Sequence, residues 1–425
     1  MGILIMMWTK LSIAYAAASL TGCFSTPPAP SPPSEAEVVF AVAPVPSDKT
    51  CEESRYFGGV AFTPGADAYV MRLPWAPPFQ IGEQPGCAPS PTVNVPVLRF
   101  AKDGTQAAPF EDDAGLSDGS REPVITFVDG DPVWAYQDTT GQVVLKKAGN
   151  TPITLPKLNQ GPQLEAPFAI YADATTAYVA ITFQQGGAKP AVNNPQYPCC
   201  GSSVQGGGGD NPLRVVPLNG SAGTNVFPFA SLFCETSGVC LTGTSDSLVF
   251  LQHGDLAAGA YVKKFPKAGV ASTDAVTIGS ISSSRVPSGL VATDGLVAWA
   301  VSVDHGNFNV QPHCEIVTDD GMPGTDPTVL FATDEFSCMH VAIDAEAAYF
   351  AIVDVSEQYG VINGLGIGRV RFDDQTVETL SLGVQGIAVG PRRIYLEGDS
   401  MYLVDPTMIV KIATSALDGK QDFAK

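Results

Sequence analysis

Imidazoles and thiols carry most of the chemistry this sequence could perform. All four histidines, His253, His305, His313 and His340, fall in the second half of its 425 residues. A neutral imidazole ligates metals, and its ordinary pKa of about 6.5 suits general acid–base work. Asp255 and Asp304 lie close to His253 and His305 in the chain. Such carboxylates could complete a His/Asp metal site or orient an imidazole. His313-Cys314 and Cys338-x-His340 offer two imidazoles and two thiols, the donor set of a structural zinc site. Their spacing is not that of a zinc finger. No cofactor is otherwise expected; a divalent metal is the one the histidines would take. Other catalytic signatures are missing: there is no G-x-S-x-G elbow and no H-E-x-x-H. GGGGD at 206–210 lacks the Lys and Ser/Thr of a phosphate loop, and INGLGIG at 362–368 reads as a loop before a strand. DDGMPGTD at 319–326 is acidic, but its spacing matches no calcium loop and predicts a turn.

The elements that must position these groups are set by a repeat. PSGLVATDGLVAWAVSV is an apolar run, a polar turn and a second apolar run centred on Trp299. The unit recurs as GGVAFTPGADAYVMRL (Tyr69), EPVITFVDGDPVWAYQD (Trp134), PFAIYADATTAYVAITF (Tyr178), GVCLTGTSDSLVFLQHG (Val249 at the aromatic position), CMHVAIDAEAAYFAIVD (Tyr349) and GVQGIAVGPRRIYLEGD (Tyr395). Asp129, Asp173, Asp294 and Asp344 each stand five residues before the aromatic position. An Asp there can close a turn by accepting from the backbone N–H two residues on, so turn formation is their expected role.

Each copy is followed by a weaker hairpin, such as RVVPLNG then NVFPFA, or EIVTDDG then TVLFAT. In the first copy, residues 103–121 show no clear fourth strand. Two hairpins make a four-stranded unit of about fifty residues, the size of a propeller blade. A blade exposes two apolar faces, so neighbours must stack to bury them. The expected fold is all-β: a seven-bladed β-propeller of four-stranded antiparallel blades. The last copy holds four strands of its own, which leaves EVVFAVA near residue 37 as an unassigned candidate latch.

The N-terminus reads as an export signal. Lys10 precedes the small apolar run LSIAYAAASL, too short to span a bilayer. Apolar residues ahead of Lys10 point to a start at Met6 or Met7. Leu20-Thr21-Gly22-Cys23 resembles a bacterial lipobox, which implies lipidation at Cys23 and a two-chain anchor, stable where one chain is marginal. Phe24, where an Asp would favour inner-membrane retention, points to the outer membrane. FSTPPAPSPPSEAE follows as an extended tether reaching up to about 40 Å at about 3.1 Å per residue. The organisation expected is therefore signal peptide (1–22), lipidated Cys and tether (23–37) and propeller (38–425).

Setting Cys23 aside leaves eight of the nine cysteines, an even number in an oxidising compartment, so disulfides are expected. Label the strands of each blade A to D from the centre outwards. B-to-C and blade-to-blade loops then open on one face, the looped face; A-to-B and C-to-D turns lie on the other, the turn face. Cys51, Cys87, Cys199, Cys200, Cys234, Cys240, Cys314 and Cys338 all map to the looped face. So do the four histidines and the insertions 75–94, 184–211 and 304–313. This mapping predicts Cys51–Cys87 and Cys314–Cys338, with the other four pairing among themselves in an open order.

A formal charge of −20 excludes a nucleic-acid partner, which needs basic patches, and argues against lying flat on an anionic membrane. Only 16% of residues are charged, with 43 Gly and 35 Pro, as a turn-rich β protein requires. Lipobox, tether and seven hairpin copies together resemble the propeller-bearing lipoproteins of Gram-negative bacteria, especially myxobacteria. That resemblance implies an envelope address and no named activity. A binding protein that holds an envelope protein, peptide or glycan on the looped face is the first expectation. A lyase or hydrolase with a His or metal site at the top of the channel is the second, and an envelope spacer the third. Convergence of the four histidines on the channel would favour the enzyme.

Overall fold

The computed structural model describes residues 36–41, 55–62, 67–74, short segments between 93 and 117, and most of 123–423. Within that last span 159–163, 185–211, 222–224, 227–231, 233–239, 254–258, 269–273, 304–310, 323–324, 356–361, 383–392 and 405–407 are outside the description. The chain is an all-β propeller whose described residues form seven four-stranded antiparallel sheets and one two-stranded pair, Val93–Asn94 with Leu116–Ser117. Six follow chain order, with strand A innermost. In blade 5, Val286–Ala292, Val297–Ser302, Cys314–Asp319 and Thr328–Thr333 pair in sequence. Blade 6 repeats this with Ser337–Ile343, Ala347–Val355, Ile362–Arg371 and Val377–Ser381. Among the described residues no helix is long and apolar enough to cross a membrane.

Three strand expectations change. Blade 1 does have a fourth strand, Pro109–Glu111, which pairs with Val97 and Leu98. It is three residues long and starts with proline, which an outer edge tolerates because one side of the strand needs no donor. INGLGIG is not a loop: it lies wholly within strand Ile362–Arg371. Its glycines leave room for aromatic rings, since a Cβ on Gly368 would run into the Phe350 ring. The latch also has an assignment. Ala36–Ala41 pairs antiparallel with Met408–Ala413 as the outer strand of blade 7, from Ala36↔Ile412 to Ala41↔Met408. The inner strand of this blade is Arg393–Glu397, followed by Ser400–Val404 and Met408–Ala413, so the last copy does not supply all four strands itself; the strand expected from GVQGIAVG falls in 383–392, outside the described residues.

The core is a series of apolar layers between blades. Tyr178, Phe250 and Trp299 share the layer through blades 3 to 5; Ala300, Ile316, Val341 and Phe350 fill the layer between blades 5 and 6. Trp134, Trp299 and Phe350 are buried. Each buried large apolar side chain contributes about 1.5–3 kcal/mol, so these layers hold the blades in order. The C-terminal segment adds a clasp between blades 7 and 6. A 3-10 turn at Thr414–Leu417 leads to Gln421, which bridges Thr379 on the outer edge of blade 6. Arg369 in blade 6 ion-pairs with Glu378 and reaches Asp418 at 2.6 Å.

Candidate functional site

The turn face is spent on structure. The Asp173 carboxylate accepts from Thr175 N at 3.1 Å and Thr176 N at 3.0 Å; Asp344 accepts from Glu346 N and Ala347 N, both at 2.8 Å. In blade 4, Thr244 takes the same role with its hydroxyl, accepting from Ser247 N at 3.0 Å. The other two aspartates depart from the expected local bond. Asp294 accepts from Ser245 N of the neighbouring blade at 2.7 Å, so it ties blade 5 to blade 4. Asp129 has φ 52° and Gly130 φ 86°, the left-handed pair of a two-residue hairpin turn. Lys267 of blade 4 crosses to blade 3, where it pairs with Asp173 at 3.1 Å and donates to Tyr171 Oη at 3.3 Å. In the described part of 319–326, Asp319 accepts from Gly321 N at 2.6 Å, and Asp320 from Met322 N at 2.9 Å and Thr325 Oγ1 at 2.8 Å, as turn-forming carboxylates do.

Polar side chains are buried at the looped-face ends of the strands, where apolar residues would pack as well. At the junction of blades 2 and 3 these are Gln137, Glu165, Thr182 and Arg214. Gln137 Nε2 donates to the Glu165 carbonyl at 2.9 Å, Leu158 N donates to Glu165 Oε1 at 2.6 Å, and Arg214 Nη1 donates to the Pro156 carbonyl at 2.9 Å. Burial pushes the Arg214 guanidinium below its ordinary pKa, and the Glu165 carboxylate opposes that shift. At the junction of blades 5 and 6 the buried set is Ser288, Ser302, His313, Ser337 and His340.

A disulfide between Cys314 and Cys338 organises this second junction. It joins the start of strand C in blade 5 to strand A of blade 6, with Cα atoms 4.9 Å apart and both residues wholly buried. This is one of the pairings expected from the sequence; with the two sulfurs bonded to each other they are not thiolate ligands, and the alternative Cys/His zinc set is lost. Next to the bridge, His313 stands between two carboxylates. Its Nδ1 is 2.7 Å from Asp334 Oδ1 and its Nε2 is 3.5 Å from Glu315 Oε2. The His313 hydrogen bond is the main reason the exposed Asp334 carboxyl sits below the usual range. The His313 backbone N–H donates to Ser337 Oγ at 3.4 Å.

His340 lies on the inner strand, two residues beyond Cys338. There the register of strand A shifts between Met339 and Val341, so His340 is the extra residue of a β-bulge. Its φ is 53°; the other non-glycine residues with positive φ, Asp129 and Gln375, sit in hairpin turns. A left-handed non-glycine residue costs about 1–3 kcal/mol, and such costs cluster at functional sites. Strand A is bulged at the same step in blades 1, 3 and 5, between Phe57 and Gly59, Pro167 and Ala169, and Pro287 and Gly289, so the bulge belongs to the blade and in blade 5 makes Ser288 the extra residue. The bulged backbones of blades 5 and 6 nearly touch: a Cβ on Gly289 would sit 2.6 Å from His340 Cα. Ser288 is 3% exposed and its Oγ has no hydrogen-bond partner.

Of the other residues expected to act, Cys23, Cys51, Cys87, Cys199, Cys200, Cys234 and His305 lie outside the described residues. His253 ends strand B of blade 4, paired with Ala260. Cys240 is buried and disulfide-bonded, with its partner outside the described residues. Among the described residues, no three or more His, Cys, Asp or Glu side chains are placed to hold a metal ion. The structure thus brings His313 and His340 to one inter-blade junction but gives them different settings, one among carboxylates and one in an inner-strand bulge. Ser288, Glu165 and Arg214 were not singled out from the sequence. Only Ser288 had a usable signal there, a polar residue between Pro287 and Gly289 in an otherwise apolar inner strand.

No protein-family model matches the chain, and no curated protein matches it. Solved structures do match. A puromycin-hydrolyzing peptidase of Mycobacterium tuberculosis is 10% identical and superposes with a TM-score of 0.51, over 89% of this chain and 55% of that one. A catalytically inactive virginiamycin B lyase from Staphylococcus aureus, with quinupristin, is 12% identical over 86% and 97%, TM-score 0.47. BamB from Moraxella catarrhalis is 12% identical over 85% and 83%, TM-score 0.41. At these identities the likeness is one of fold.

Proposed function

We propose that the chain is a lipid-anchored protein of the bacterial cell envelope, held at the outer membrane through Cys23, whose propeller grips a protein, peptide or glycan partner on its looped face. The observation that carries this reading is the uneven use of buried hydroxyl groups among the described residues. On the turn face, the Thr244 hydroxyl closes its own turn. At the looped ends of strands A and B, Ser288 and Thr182 are buried with side-chain oxygens that have no partner among the described residues. Unsatisfied buried hydroxyls destabilise a fold, and a binding face is where that cost is offset. The Cys314–Cys338 bridge fixes the base of the long 304–313 connection, which suits a rigid platform under variable loops.

A hydrolase or lyase working at the same junction is the second reading. The left-handed His340 beside Ser288 favours it. The two readings part on whether the ligand is turned over.

Photo-crosslinking in the native envelope tests the first reading. A photoreactive residue at exposed Gln311 reports on the looped face, and one at exposed Gly295 reports on the turn face of the same blade. Defined adducts from Gln311 and none from Gly295 are the expected result. Equal labelling from both, or none from Gln311, would overturn it.

A further inference from the structure

We propose that the outer edge of blade 5, strand Thr328–Thr333, docks an extended segment of a partner protein that is apolar in its middle and carries Lys or Arg at both ends. This surface is separate from the looped face. Among the described residues, nothing pairs with the far side of the strand. An unpaired edge offers a row of backbone donors and acceptors to a chain that can lie along it.

The other outer edges are protected. Blades 2 and 3 end in two-residue strands, Ile153–Thr154 and Asn225–Val226, and blade 1 in a three-residue strand that starts with Pro109. In blade 4, Lys263 lies against the edge and its Nζ donates to Thr277 Oγ1. The outer strand of blade 7 carries Glu37. Blade 6 is covered by the chain's own C-terminal segment: Thr379 N donates to the Lys420 carbonyl and Asp422 N to the Thr379 carbonyl, both at 3.0 Å. Short edges, charges, proline and a covering segment all guard against strand addition. TVLFAT has six residues, no charge and no proline, and a bulge at Leu330 is its one interruption. The exposed large hydrophobics among the described residues are Met322 in the adjoining turn and Val329 in this strand.

Charge selects the occupant. Residues 319–335 hold five carboxylates and no Lys or Arg. Asp320 and Asp326 are exposed before the strand, Asp334 and Glu335 after it. Lys264, which donates to the Gly321 carbonyl, and Arg285, whose charge acts on Asp334, offset part of this. A second copy of the same edge is disfavoured. Antiparallel pairing would set Asp326 against Asp334 and Glu335, and parallel pairing would set each carboxylate against its twin. A strand with basic ends satisfies both the backbone ladder and the flanking charge.

The test uses the full chain, purified in detergent, and synthetic peptides of alternating Val and Thr. One peptide has two Lys at each end. A second has Glu in their place, and a third keeps the Lys but is N-methylated on every central residue. Fluorescence anisotropy should show saturable binding of the first and at least tenfold weaker binding of the other two. The first should also slow amide exchange across 328–333 and leave the blade 4 edge, 276–281, unchanged. Asp326→Asn combined with Glu335→Gln should weaken binding severalfold with Tm unchanged, since both carboxylates are exposed. No binding of the Lys-ended peptide overturns the proposal. Equal binding of the N-methylated peptide also overturns it, because charge alone would then suffice. So does protection confined to other strands, which would seat the peptide elsewhere. Dimerisation of the free chain that Val329→Lys abolishes would give the edge to a second copy and overturn the choice of partner.

Discussion

Cys314 and Cys338 are bonded across the gap between two blades, with their Cα atoms 4.9 Å apart and 24 positions apart in the chain. The bond does what the hydrogen-bond ladder cannot, because the ladder stops at each blade's own edge. It fixes strand C of blade 5 against strand A of blade 6 at the end where the long connections leave.

Removing that bond should be costly. For a closed loop of this length, lost chain entropy amounts to about 3 kcal/mol. The double substitution Cys314→Ser with Cys338→Ser should lower the free energy of unfolding by about that much in urea titrations. An unchanged midpoint would show that the apolar layer alone holds the two blades.

The His313–Asp334 contact makes a pH-dependent contribution with a definite sign. His313 holds the Asp334 carboxyl below its ordinary range, so the folded state favours the carboxylate. Stability from this source is present above the unfolded Asp value of about 3.9 and is lost as pH falls through the lowered folded value. In His313→Gln the carbon-detected titration of Asp334 should move up towards the ordinary value. A curve that stays put would assign the shift to some other group.

Tyr178 and Tyr349 govern the alkaline limit. Burial, aided by Asp173 for Tyr178 and by Asp344 for Tyr349, raises both phenols to about 12. A raised acid keeps its proton in the fold, so its contribution is intact below pH of about 10 and is lost between there and the folded value. Tyrosinate absorbance should therefore rise together with loss of β-sheet ellipticity in that window. Tyr178→Phe should unfold at higher pH than the parent; identical curves would remove the phenol from the explanation.

Gly368 has no room for a side chain beside the Phe350 ring. In Gly368→Ala the new methyl meets the Phe350 ring, and overpacking of a tight layer costs about 1–3 kcal/mol. Thermal unfolding should show the loss, and Phe350→Leu in the same chain should recover part of it. Additive losses from the two changes would contradict the packing explanation.

Much of the architecture is legible in the sequence because the signal is local and repeated. An Asp five residues before an aromatic, between two apolar runs, marks an A-to-B turn wherever it occurs, as Asp173 and Asp344 show. The Cys314–Cys338 pairing follows once strands are numbered, since both residues map to one face at one junction. What stayed hidden depends on partners distant in sequence. INGLGIG at 362–368 reads as a glycine loop until Phe350 is laid over Gly368. Asp294 looks like a turn-former until Ser245 of the next blade is beside it. Of the candidate site, the histidines could be named but not their settings. A bulge leaves no mark in composition, so neither His340's backbone nor its nearness to Gly289 could be read.

The pairing of Ala36–Ala41 with Met408–Ala413 also sets an order of events. The outer strand of blade 7 is among the earliest parts of the fold to be synthesised, and its partner follows roughly 370 residues later, tens of seconds at about 5–20 residues per second. Throughout that interval the early strand has an open edge and no mate, and closing so long a span is entropically slow. A chain stalled before Met408 therefore keeps a sticky, unpaired β-edge, which proteases and holdase chaperones can recognise as unfinished.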